Sequence, residues 1–183
     1  DRLGDPTARL LGRVSLNPLV HIDPIGTLLL PLIAALTGAP LLGWAKPVPV
    51  QSRGLKNVRR DFMLIAAAGP ASNLVLATIA SLFLRVMGGE MGPMGGLDVA
   101  APLHFLIQQA FVLNLLLAVF NMIPVPPLDG GNVLASLLPP PLAYRFEQLR
   151  PYGIFILYGL LLTGALTYIV APPTMFLYRL LTL

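Results

Sequence analysis

Four apolar stretches, each near the length of a membrane crossing, govern what this chain can fold into. They are residues 25–44 (IGTLLLPLIAALTGAPLLGW), 62–87 (FMLIAAAGPASNLVLATIASLFLRVM), 103–123 (LHFLIQQAFVLNLLLAVFNMI) and 152–170 (YGIFILYGLLLTGALTYIV). A helix needs about 20 such residues to cross ~30 Å of hydrocarbon. Of the 183 residues, 56% are hydrophobic and 11% charged, whereas a soluble domain carries about 25% charged residues. That balance excludes a soluble globular protein, and the high hydrophobicity excludes disorder. The expectation is an all-α, polytopic transmembrane helical bundle, with residues 1–183 as a single membrane-embedded domain. Residues 25–44 fit least well, because Pro31, Gly38 and Pro40 interrupt them and GWAKPVPV follows. Proline breaks helix interiors and biases its predecessor toward extended backbone. This region either spans or forms a re-entrant or extended segment near 25–50, which is tolerated at membrane depth only beside protein or a water-filled cavity.

The loops hold the charge. Lys46, Arg53, Lys56, Arg59 and Arg60 lie between the first two stretches against Asp61, whereas residues 88–101 carry Glu90 and Asp98. Residues 139–151 add Arg145 and Arg150 against Glu147. The positive-inside rule makes 45–61 and 124–151 cytoplasmic and 88–101 external. The net charge of +4 fits loops beside anionic lipid. Without a basic stripe interleaved with aromatic residues, nucleic acid is not an expected partner. The chain has no cysteine, which excludes disulfides, thiolate metal sites and a cysteine nucleophile.

Three constellations bear polar groups in apolar surroundings. The third stretch ends in NMIPVPPLDGGNVL. Pro124, Pro126 and Pro127 must stop the helix and deliver Asp129 just beyond it. Gly130 and Gly131 suggest a tight turn using backbone closed to other residues, with a short helix over 132–138. Asp129 is either a solvated loop carboxylate or, flanked by apolar residues, a functional group. The second constellation is NPLVHIDPIG at 17–26. His21 and Asp23 share a face if extended and are candidates for a cavity wall, but Asn-Pro and Asp-Pro also start turns. The third is AGPASN at 68–73 within the second stretch. Its small residues allow close helix approach, and Ser72 and Asn73 can hydrogen-bond across an interface. His104 reads as an interfacial histidine.

Together these motifs resemble the site-2 protease family of intramembrane zinc metalloproteases, in its compact prokaryotic branch. NMIPVPPLDGG matches the family's Asn-x-x-Pro-x-x-x-x-Asp-Gly element, and AAAGPASN its Ala-Gly-Pro helix. NPLVHIDPIGT and GWAKPVPV are similar to further segments, so the resemblance runs from about residue 1 to about residue 138. The resemblance implies a Zn²⁺ cofactor, Asp129 as one of three protein ligands, and Asn121 as a catalytic and substrate-binding residue. It implies transmembrane protein substrates within the lipid bilayer, entering by strand addition along an edge for which Val48 and Val50 are the candidates. His21, Asp23 and Asn73 are candidates to line the cavity. The family's His-Glu-x-x-His motif is missing, since His21 and His104 are the two histidines and neither belongs to one. The expectation is that this helix lies upstream of Asp1 and that the chain alone is inactive. The alternatives are an ion or proton transporter or channel subunit and a noncatalytic membrane-helix-binding relative. The expected location is a multi-pass protein of the prokaryotic cell membrane.

Overall fold

A computed structural model of the chain describes residues 3–15, 17–38, 46, 48, 51, 54–87 and 100–182. Every regular element among them is helical: α1 (Thr7–Leu10), α2 (Leu30–Thr37), α3 (Val58–Val86), α4 (Ala100–Asn121), α5 (Asp129–Leu137), α6 (Pro140–Glu147), α7 (Gly153–Leu162) and α8 (Ala165–Thr182). The chain divides into two compact units, residues 1–61 and 62–183.

In the first unit, polar side chains are spent on holding local backbone. Asn17 accepts from the Leu19 amide at 3.0 Å and caps a 3₁₀ turn over Pro18–His21. Asp23 Oδ1 accepts from the amides of Ile25 and Gly26, at 3.0 and 2.8 Å. It thereby caps a π-helical turn, Pro24–Leu29, that runs into α2. Proline just after each cap suits a first helical turn, where its missing N–H costs nothing. The helix through Pro24–Thr37 is roughly 20 Å long at 1.5 Å per residue, short of the ~30 Å core. It ends where Gly38 adopts a left-handed φ of 69°, the usual helix-ending conformation for glycine. A continuous helix across 25–44 is therefore not what forms. Residues 39–45 and Val50 lie outside the described residues. Lys46 donates its amide to the His21 carbonyl at 2.9 Å, and Val48 is exposed.

The α3 helix begins at Val58, four residues before the apolar stretch, because its start is capped reciprocally. Asn57 Oδ1 accepts the Arg60 amide at 3.3 Å, while Asp61 Oδ2 accepts the Asn57 amide at 2.9 Å, a variant of the capping box.

The second unit is built on α3, α4 and α8. Ala77 and Ala80 of α3 pack with Phe111 and Leu115 of α4, and Leu177 and Leu181 of α8 close this core. Small residues on α3 let the backbones approach, as membrane helices require. The Phe111 and Tyr178 rings stack at 5.3 Å. Ser81 Oγ and Arg85 Nη2, the latter at 3.1 Å, both donate to the Leu181 carbonyl and satisfy an orphan acceptor at the end of α8. By length and apolarity α3 and α4 can each cross a membrane. The fourth stretch is not one rod. Its helix stops at Leu162, Gly164 takes a φ of 74°, and α8 leaves at 83° to the segment Pro140–Leu162, the geometry of a broken span or of a re-entrant loop.

Candidate metal-binding site

The third apolar stretch stops where its prolines require. Asn121 is the last residue of α4, and Met122 and Ile123 close its end with tight bonds to the carbonyls of Val119 and Phe120, both 3.1 Å. A turn from Val125 to Leu128 (3.0 Å) follows, with the Pro126–Pro127 peptide cis. Leu128, extended at φ −66° and ψ 158°, then caps α5. Asp129 is thus the first residue of α5, three positions earlier than the short helix expected over 132–138. An acidic side chain is favoured there by the helix dipole.

Glycine lets this loop fold tightly, though not by the means the sequence suggests. Gly130 and Gly131 have ordinary helical backbone and are absent from the positive-φ residues. What they lack is bulk. A Cβ on Gly130 would strike the Met122 carbonyl, and one on Gly131 would lie 2.8 Å from the Pro126 nitrogen. The start of α5 is therefore pressed against the chain that leaves α4.

Gly69 of the Ala-Gly-Pro segment faces the same point. A Cβ there would sit 2.8 Å from Asp129 Oδ2, so the bare backbone of α3 forms one wall for the carboxylate. Two sequence motifs 60 residues apart thereby meet at one side chain. Asn73 lies one turn along α3 and is half-buried. Ser72 does not reach across an interface as expected; its hydroxyl donates to the Gly69 carbonyl of its own helix at 2.7 Å. That return bond serves backbone beside Pro70, which interrupts the helical ladder. An apolar groove of about 310 Å³ borders the loop, lined among others by Pro70, Leu74, Ile123, Pro124 and Pro173.

Asp129 is half-buried. Burial pushes its carboxyl above the ordinary carboxylate range, and no donor among the described residues counteracts it. A nearby cation reverses that balance, so an oxygen donor held here in an apolar setting fits a metal. A catalytic zinc needs three protein ligands. Among the described residues no three histidine, cysteine or acidic side chains gather to hold a metal. His21 Nε2 lies 3.0 Å from the Ser15 carbonyl, and Asp23 is engaged as a cap.

Residues 87–162, the segment holding Asn121 and Asp129, match the family described as Peptidase family M50. YwhC of Bacillus subtilis (strain 168), whose name describes a zinc metalloprotease, is 37% identical over 175 residues, covering 93% of this chain and 74% of YwhC. The chain belongs to Peptidase family M50, the site-2 proteases. Rip2 of Mycolicibacterium smegmatis, also named for a zinc metalloprotease, is 34% identical over 166 residues. That match covers 90% of this M50 chain but 60% of Rip2. A third relative with such a name, sll0528 of Synechocystis, is 40% identical over 74 residues, 40% of this chain and 17% of its own length. No solved structure matches the chain.

Sequence reasoning missed a second set of contacts on this M50 loop. Arg150, in the turn before α7, forms a fork on Glu147 (Nε to Oε2 and Nη2 to Oε1, both 2.8 Å), and the same Nη2 donates to Asn132 Oδ1 at 3.0 Å. Gly153, the first residue of α7, sits so close to the Pro126 carbonyl that a Cβ would collide with it. Only the Arg-Pro-Tyr-Gly run hints at this in the sequence.

Proposed function

We propose that this chain is the portion of an intramembrane zinc metalloprotease that carries the aspartate ligand and the substrate-facing wall of the active site. The observation that carries the reading is the meeting of Gly69 and Asp129, which puts a desolvated carboxylate at the broken end of a membrane helix. Asp129 holds Zn²⁺ through a carboxylate oxygen. When bound, Zn²⁺ supplies Lewis acidity toward a peptide carbonyl and a more acidic water. A catalytic zinc takes two further protein ligands and works with a general base, and a His-Glu-x-x-His helix has that chemistry.

Asn121 ends α4 close to the loop, and its side-chain amide donates to the carbonyl oxygen of the substrate as negative charge develops there. The prolines after it break the helix, so polar groups and water reach a depth that an intact span would seal. Substrates are transmembrane segments that unwind locally for cleavage. Asn73, one turn from Gly69 on α3, lines the cavity. The chain is one membrane-embedded domain of the cell membrane, with 45–61 and 124–151 cytoplasmic and 88–101 external.

The test uses the full-length protein in bilayers. Zinc is counted per protein and cleavage of a transmembrane substrate is followed with and without a chelator, and cysteines placed at 53 and 95 are labelled with an impermeant reagent from each side. Stoichiometric zinc, chelator-sensitive cleavage and inside labelling of position 53 are expected. Cleavage that persists without metal, or outside labelling of position 53, overturns the reading or its topology respectively.

A further inference from the structure

We propose that the connection from Glu147 to Gly153 is the positioning element for Asp129, with Arg150 its operative residue. The inference rests on the assignment of Asp129 as a zinc ligand. Groups that hydrogen-bond a ligating side chain orient it, and losing them typically costs 10–100-fold in metal affinity; where such a bond is missing, the backbone that carries the ligand takes over the role. Among the described residues none donates a hydrogen bond that would fix the Asp129 side chain, so the rigidity of the first turn of α5 does that work.

Two grips on that turn come from the 147–153 connection. Arg150 reaches Asn132, three residues after Asp129 and so on the same side of α5. Its guanidinium is itself oriented by two parallel bonds to Glu147, the fork geometry that fixes direction as well as distance. Gly153 is seated against the carbonyl of Pro126, three residues before Asp129. The connection therefore holds the loop before Asp129 and the helix after it. Arg150 and Glu147 are each more than two-fifths exposed, so as an ion pair they contribute little to stability. An exposed pair that does little for stability but fixes the residue three positions from a ligand acts by positioning.

The experiment measures zinc affinity of the full-length protein by chelator competition and records the visible absorption of its Co²⁺-substituted form, which reports ligand geometry independently of turnover. Arg150→Gln is expected to weaken zinc by tenfold or more and to alter the Co²⁺ spectrum while the melting temperature stays near that of the parent. Arg150→Lys, which keeps charge but loses the fork, falls between. Arg145→Gln, the same charge loss on α6, leaves both readouts unchanged. Gly153→Ala is expected to behave as Arg150→Gln or worse, whereas Gly159→Ala, whose Cβ meets open space, is neutral. Parental affinity and spectrum in Arg150→Gln, alongside metal loss in Asp129→Ala, overturn the positioning role alone. Parental metal binding in Asp129→Ala overturns the assignment beneath it.

Discussion

Asp23 and Asp129 stand in similar sequence surroundings and do opposite things. Each neighbours proline, each lies at the start of a helical turn, and each has apolar residues around it. Asp23 sits one position before its helix and gives Oδ1 to two backbone amides. Asp129 sits one position inside its helix, past the cap, and turns toward the bare backbone of Gly69. One carboxylate is consumed by the fold and the other is left over by it. The difference shows that a polar residue in an apolar stretch is a functional candidate when its lone pairs are unspent, and one residue of register decides that.

The comparison breaks or sharpens most at Asp129. Asp129→Ala in the full-length protein is expected to abolish cleavage and lower zinc stoichiometry, and Asp129→Asn to fail as well, because a neutral amide oxygen is a poorer ligand than a carboxylate. Metal analysis with a cleavage assay checks this, and full activity in either variant would make Asp129 as ordinary as Asp23. Asn121→Ala should keep its zinc yet turn over about 10²–10³ more slowly, the typical cost of removing one oxyanion donor; a loss of metal would instead make Asn121 part of the ligand framework.

Asp23→Ala is expected to destabilise by about 1 kcal/mol, the usual value of a helix cap, with zinc content unchanged. Asp23→Ser should recover most of that in thermal unfolding. Zinc loss in Asp23→Ala would end the contrast between the two aspartates.

The smallest effect concerns Asp5. The Thr7 hydroxyl and amide and the Gln51 amide hold its carboxyl below the ordinary value of 3.8. A native value below the unfolded one means that its stabilisation is present above the unfolded value and is lost as pH falls through the native one. Asp5→Asn should flatten the acid limb of the unfolding curve by lowering stability at neutral pH while leaving it nearly unchanged in strong acid. An acid limb identical to the parent's would show that Asp5 contributes no such linkage.

Much of this was legible in the sequence, for reasons that differ by region. The α3 and α4 helices follow from long apolar runs, and the end of α4 from Pro124, Pro126 and Pro127, because a missing amide proton is a local fact. The start of α3 was less legible, since Arg59 and Arg60 read as loop charges until Asn57 and Asp61 are seen to cap across them. The break at Gly164 was hidden because an apolar run does not report direction. For Gly130 and Gly131 the residue type pointed to the right place through the wrong cause, dihedral freedom in place of missing bulk. The contact of Arg150 with Asn132 joins residues 18 positions apart, and no periodicity carries such a pairing.

Gly69 bounds the aspartate with main chain in place of a side chain, and Gly130, Gly131 and Gly153 set main chain against main chain in the loop that carries it. Such walls have no rotamers to freeze when something binds, so ordering them again costs little conformational entropy. They also have none to exchange. A wall of this kind cannot reshape itself around a guest, and under the function proposed above the conformational adjustment on entry falls on the incoming segment.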